Sequence, residues 1–239
     1  FCEREIAPIA KQIDQEASFP WGTADKMARL GYFGIQALHA LGGAGLDTVN
    51  YVLIVEEISR ASGGLGLCVT VHNSVAIAPI LAFGTEEQKQ RWIPPLARGE
   101  KIGAFCLTEP NAGSDASGIE ATARRDGDHY CVNAGKVLVT NGGIADLCLV
   151  FARTDPKAGR RGISVIVAER GTPGFAVGDL EDLCGMRANP VSSIRLTDCR
   201  IPVGNLLGRE GKGLAIGMAA LDTGRIGIAA QAVGIARAA

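Results

Sequence analysis

Residues 107–118 read Leu-Thr-Glu-Pro-Asn-Ala-Gly-Ser-Asp-Ala-Ser-Gly (LTEPNAGSDASG), directly after the apolar run Ile102 to Leu107. Hydroxyls, carboxylates, a proline and two glycines share one turn. Only glycine reaches positive φ cheaply, so Gly113 and Gly118 are expected to let amides and the hydroxyls of Thr108, Ser114 and Ser117 converge on a ligand. Read alone, the segment is equally a polar turn between domains, because Gly, Pro, Asn and Asp dominate ordinary turns. The sequence on either side decides.

Upstream, Phe1 to about Glu100 carries helical signals, beginning with Ile6, Ile9 and Ile13 on one face, with Pro8 among them. Asp47 to Arg60 is amphipathic. Leu65 to Phe83 is the most apolar stretch, yet His72, Asn73, Ser74 and Pro79 would be hard to satisfy in hydrocarbon. It reads as a buried core helix, with no membrane span. Gly84 is expected to close it, Thr85 and Gln88 to form a capping box for the next helix, and Pro94 and Pro95 to end that helix. LGGAGL (41–46) lacks GxGxxG spacing and no strand leads into it, so it reads as a helix-to-helix loop.

Downstream of about Lys101 the pattern changes to short strands between turns: 121–125, 129–133, 136–140, 147–153, 163–168, 175–177 and 191–196. Asn133 to Gly135 is taken as a turn, and Asp155 to Gly162 as a basic loop. From Leu214 the chain is helical again. The expected fold class is α+β and multidomain: an N-terminal all-α domain (1–102), a middle antiparallel β-sandwich or barrel (103–206) and the start of a C-terminal helical bundle (207–239).

Composition narrows the function. The 239 residues carry a net charge of −1 with dispersed Lys and Arg, so no basic stripe suits nucleic acid. Seven cysteines form no CxxC pair and their odd number suits no closed disulfide set, which points to a reducing, cytosol-like compartment. Three scattered histidines without an HExxH pattern predict no metal site. GREGKG (208–213) resembles half a P-loop, but Gly213 stands where a Ser or Thr should bind magnesium. Phe1 opens inside a helical pattern and Ala239 ends one without a stop signal, so both ends read as cut and no signal peptide is visible.

The helix, strand, helix order, with LTEPNAGSD at the first junction, VLVTNGGIAD in the sheet and LDTGRIGIAAQAVGIA in the last helix, resembles the acyl-CoA dehydrogenase family over nearly the whole chain. The resemblance implies FAD, although no Rossmann fingerprint is present. It implies that Phe105, Leu107, Thr108 and Ser114 line the pyrimidine side of the flavin, Ser114 also lying near the CoA arm and the flavin phosphates. Leu138, Val139 and Thr140 would pack on the flavin near the nitrogen that receives hydride; many members carry Trp or Phe where this chain has Leu138. Asp222, Thr223, Gly224 and Arg225 would form the acyl-CoA-binding turn, though outside the family Asp222 and Arg225 read simply as a solvated helix pair.

The implied reaction is α,β-dehydrogenation of a short-chain acyl-CoA to the trans-2-enoyl-CoA, a step of fatty-acid β-oxidation, with electrons passed to electron-transfer flavoprotein. The implied assembly is a homotetramer or dimer, in bacterial cytoplasm or the mitochondrial matrix. In long-chain and isovaleryl-type members the base is a Glu just before the helix arginine, where this chain has Gly224; in most others it lies late in the C-terminal domain, so no catalytic base is expected before Ala239. Glu109 is expected to be structural. Alternatives are a relative acting on branched, aromatic-derived or cyclic acyl-CoA, an acyl-CoA oxidase, or a non-catalytic module that binds acyl-CoA or a protein.

Overall fold

Asp47 and Thr85 show how locally the helical part is specified. In a computed structural model describing residues 1–239, Asp47 caps α3 (Thr48–Ala61) by accepting from the Asn50 amide. Thr85 and Gln88 form the reciprocal capping box that opens α6 (Glu86–Ala97), satisfying amides that a helix start leaves bare. Before them run a π turn (Cys2–Ile6), α1 (Ala7–Gln15), with Pro8 in its tolerant first turn, and α2 (Trp21–Arg29). Residues 41–46 are mostly loop, entered through a short 3-10 turn (His39–Leu41) and turned by Gly42 and Gly45 at positive φ.

The apolar stretch is one helical run, Gly63–Phe83, built from α4 (Gly63–Val71), a π segment (His72–Ile77) and α5 (Ala78–Phe83). The Asn73 side-chain amide donates to Val69 O, the Ser74 hydroxyl donates to Thr70 O, and Pro79 has no N–H. Those substitutes for the regular ladder account for the wider turn. The run is long and apolar enough to cross a membrane, but 72% of its 18-residue apolar window is buried inside the protein. Pro94 and Pro95 do not end α6; they lie within its last turns, where few amides are forfeited, and the chain leaves through Gly99 at φ 66.

The strands are β1 (Gly103–Cys106), β2 (Thr122–Asp126), β3 (His129–Val139), β4 (Leu147–Arg153), β5 (Ile163–Glu169), β6 (Phe175–Leu180), β7 (Ser192–Pro202) and β8 (Leu206–Leu207). They form one sheet in the order β6-β7-β3-β2-β4-β5-β8, with β1 alongside β4. Pairing is antiparallel except that β1 and β2 run parallel to β4. Asn133 to Gly135 is not a turn: β3 runs straight through it, and the register against β7 shifts between Val132 and Ala134, a bulge that absorbs the polar residues.

The central strands are buried on both faces. Leu149, Phe151, Val165 and Val167 pack toward Trp92, Leu96 and Ile216 on the helical side, while Cys148, Val150 and Ile166 pack toward Tyr130, Val132 and Ile194. Each large side chain removed from water there contributes about 1.5–3 kcal/mol.

The chain closes in α7 (Gly213–Ala238), also long and apolar enough to span a membrane but laid along the core by a stripe of glycines. A Cβ at Gly227 would sit 2.2 Å from the Tyr51 hydroxyl, and one at Gly234 would sit 2.3 Å from Glu56 O. Backbone therefore meets α3 and α4 directly.

Candidate functional site

A cavity of about 710 Å³ lies where α4 and the π segment, the end of β1 and α7 meet. That volume falls in the range of small-molecule sites. Leu214, Met218, Leu221, Arg225 and Ile228 of α7 line it on one helical face, which extends the cavity roughly 20 Å along the helix.

β1 delivers Phe105 to the wall and then releases the chain into the polar loop, where Leu107, Thr108 and Ser114 follow it into the lining. The amides of Leu107 and Thr108 donate to no backbone carbonyl. They are spare donors.

Their position is fixed from behind by a buried ion pair. Lys136, wholly buried on β3, donates to Glu109 at 2.6 Å and to Leu107 O at 3.1 Å. Burial pushes the ammonium below its ordinary range, and Glu109 opposes that shift. Glu109 also accepts the amides of Glu120 and Ala121, so it fixes the loop rather than facing the cavity. The loop glycines work differently from the expectation: neither Gly113 nor Gly118 has a positive φ, and nothing lies within 4 Å of a Cβ at Gly113. Hydrogen bonds to Glu109 and Asp115 bend this loop, leaving Gly113 to provide open space.

β3 ends in a second irregularity, with its register against β7 slipping between Lys136 and Val139. Leu138 is left at φ 53 and 59% exposed, lining the cavity with Thr140. A non-glycine residue held in this strained region is a pointer to function. Val139 does not line the cavity; strand alternation turns its side chain into the sheet core. The bend is pinned by Asn141, at φ 65 and fully buried, whose amide donates to Cys68 O and Gly103 O and whose oxygen accepts from Asn189. By sequence alone, Asn141 to Gly143 reads only as a turn between strands.

On α7, Gly224 and Arg225 reach the cavity, but Asp222 and Thr223 do not. The helical period turns Asp222 to solvent, and the Thr223 hydroxyl donates back to Ala219 O. Gly224 lies close to the π segment, where a Cβ would be 3.3 Å from Val75. Behind that segment, His72 accepts the Gly103 amide at Nδ1 and bonds to Leu96 O through Nε2, tying helix to strand. Burial drives its pKa down to about 4.

The mouth was not legible from sequence. Arg160, from the basic loop between β4 and β5, lines the cavity beside Ser114, Asp115 and Ser117. Asp115 is the one carboxylate in the lining; the Ser117 hydroxyl and amide, and then the Arg160 charge, hold its pKa down. The basic loop itself was visible, but its approach to residues 114–117 depends on the parallel pairing of β2 with β4 at Thr122 and Arg153.

The donor set fits a flavin: spare amides at Leu107 and Thr108, the Thr108 and Thr140 hydroxyls, and an apolar plate at Leu138. The fold and this cavity define a member of the acyl-CoA dehydrogenase family, whose N-terminal domain model matches residues 1–100 and whose middle domain model matches residues 104–199. The chain belongs to that family.

Over 239 residues it is 46% identical to the short-chain specific acyl-CoA dehydrogenase of Clostridium acetobutylicum, covering all of this chain and 63% of that relative. Butyryl-CoA dehydrogenase from Megasphaera elsdenii superposes with a TM-score of 0.96 at 41% identity, over 99% of this chain and 63% of that one. A chain from a structure of the electron transferring flavoprotein of Acidaminococcus fermentans, described in connection with flavin-based electron bifurcation, superposes with a TM-score of 0.97 at 44% identity, over 99% of this chain and 62% of that one. The chain thus spans less than two thirds of the relatives it matches.

Proposed function

We propose that this chain forms the cofactor- and thioester-facing part of an FAD-dependent dehydrogenase that converts a short-chain acyl-CoA to the trans-2-enoyl-CoA and passes electrons to electron-transfer flavoprotein. The observation that carries the reading is the convergence of Thr108, Leu138, Thr140, Gly224 and Arg225, distant in sequence, on one cavity. Among its relatives one is named a short-chain specific acyl-CoA dehydrogenase and another a butyryl-CoA dehydrogenase, which supports the substrate class.

Bound FAD would supply the hydride acceptor. The Leu107 and Thr108 amides and the Thr108 hydroxyl would present fixed donors to its polar edge, where negative charge develops on reduction; preorganised donors stabilise such charge without reorganising. The Thr140 hydroxyl and the Leu138 side chain would hold the ring from the end of β3. Arg225 and Ser114 would place the CoA arm.

An α C–H is too weak an acid to ionise unaided, so its loss needs a desolvated base and a polarised carbonyl. Asp115 is exposed at the mouth and engaged by Ser117, and Glu109 is paired with Lys136. The cavity walls described here therefore leave the base to be supplied from elsewhere.

The test is anaerobic addition of butyryl-CoA to the FAD-loaded gene product that carries this chain. Bleaching of the flavin band with release of the trans-enoyl product is expected, with fast turnover on electron-transfer flavoprotein and little peroxide. Protein that stays colourless after incubation with FAD overturns the reading, and rapid oxygen consumption reassigns it to an oxidase.

A further inference from the structure

Leu138 and Asn141 are two of the five non-glycine residues at positive φ, and they stand three apart in the bend that carries Thr140. Backbone in that region persists only where its surroundings over-determine it. On the helical side Asn141 does the holding. On the sheet side the holder is Arg170, which does not line the cavity.

The Gly142 amide donates to Val139 O at 2.9 Å and the Gly143 amide to Pro190 O at 3.0 Å, closing a tight turn around Thr140 and Asn141. That turn has no room for side chains. A Cβ at Gly142 would lie 2.6 Å from Ser192 Oγ, and one at Gly143 would lie 2.8 Å from Leu180 Cδ2. Bare of side chains, the turn cannot cover its own carbonyls, which need donors from elsewhere.

Arg170 supplies them. Its Nε donates to Ala145 O at 2.7 Å, and its Nη2 donates to Gly143 O at 2.9 Å and to Gly142 O at 3.3 Å. Nε and Nη2 form one edge of the planar guanidinium, so a single rigid fork sets all three carbonyls. The fork is itself anchored: Arg170 directly follows β5, its amide donates to Asp146 O at 2.8 Å, and the Asp146 carboxylate accepts the Ile102 amide at 2.8 Å. Arg170 enters no ion pair, unlike Arg187 with Asp182 or Arg200 with Asp126. Arg153, at the other end of the β4–β5 hairpin, is likewise spent on carbonyls, those of Ile119, Ser117 and Gly159.

We propose that Arg170 is a positioning residue for the flavin: by holding the turn at 142–145 it fixes where the Leu138 side chain and the Thr140 hydroxyl stand in the cavity wall. This rests on the flavin reading above. Because Arg170 reaches the cavity only through the turn, its loss should loosen the bend and leave thioester binding alone.

The first measurement is hydrogen exchange in the ligand-free gene product that carries this chain. In Arg170→Met the amides at 138–145 should exchange roughly tenfold to a hundredfold faster, the range for lost hydrogen bonds to a charged donor, with the amides of β4 and β5 unchanged. The second uses the FAD-loaded protein. The dissociation constant for FAD should rise about tenfold, the visible band should move toward that of free flavin, and kcat for butyryl-CoA should fall with KM unchanged. Arg170→Lys keeps the charge without the planar fork and should fall between the natural protein and Arg170→Met. If Arg170→Met does not fold, the same exchange comparison on Arg170→Lys decides.

Exchange at 138–145 that is unchanged, or that quickens equally across β4 and β5, overturns the proposal, the second result by making the role purely structural. Full recovery in Arg170→Lys overturns it by assigning the effect to charge. A loosened bend in a gene product that takes up no FAD refutes the flavin reading and leaves the hold on the bend standing. FAD bound and reduced equally with and without Arg170 refutes the positioning alone.

Discussion

Lys136 and Glu109 face each other across a 2.6 Å ion pair with side chains 0% and 5% exposed, and the same ammonium holds the Leu107 carbonyl. Removing one partner strands a buried charge, so Glu109→Gln or Lys136→Met alone should cost about 3–5 kcal/mol. The double change Glu109→Gln with Lys136→Met should cost much less than the sum of the single changes. Denaturant unfolding of the four proteins measures the coupling, and additive costs would show that the pair does not act as a unit.

His72 predicts a pH dependence of stability. Its folded pKa, about 4, lies below the ordinary value of 6.5, so between those values the unfolded chain binds more protons. Stability from this residue is therefore complete above pH 6.5 and is lost as pH falls toward 4, by about 3 kcal/mol. His72→Gln should flatten the stability curve in that window. An unchanged acid slope would exclude His72 as its source.

Leu138 holds a left-handed backbone that glycine adopts without strain. Leu138→Gly should therefore raise thermal stability of the ligand-free protein by about 1 kcal/mol while weakening FAD retention through loss of its apolar cover. Lower stability together with unchanged FAD affinity would contradict both parts.

Two glycines separate close approach from open space. Gly227→Ala places a methyl against the Tyr51 hydroxyl and Thr70 Cγ2 and should cost about 1–3 kcal/mol. Gly113→Ala meets nothing within 4 Å at an ordinary φ and should be neutral in stability. Comparing the melting temperatures of the two variants checks the contrast.

What could be read from sequence was what depends on near neighbours. The Thr85 and Gln88 box spans three residues, and Leu147 to Arg153 announces itself as a bounded apolar run. The bulge at Asn133 could not be read that way. It is fixed by reciprocal bonds with Asp198, at φ 45 and 65 residues away: Asn133 donates to the Asp198 carboxylate and accepts its amide.

The candidate site divides in the same manner. Phe105, Leu107, Thr108, Ser114, Leu138, Thr140, Gly224 and Arg225 came from the family motifs, and the fold brings them to one cavity. Val139, Asp222 and Thr223 belong to those motifs too, yet strand alternation and helical phase turn them elsewhere. Arg153 and Arg160 carry no motif, because their place follows from a strand crossing.

Asn141 reaches Cys68 of the helical part and Gly103 of the sheet with a single amide group. Neither part can present the cavity until the two have docked, so any ligand that binds there also reports on assembly. Occupancy then works as mass-action glue, adding RT ln(1 + [L]/Kd) to the docked state, and a lesion at Asn141 would register first as lost affinity for a ligand it never touches.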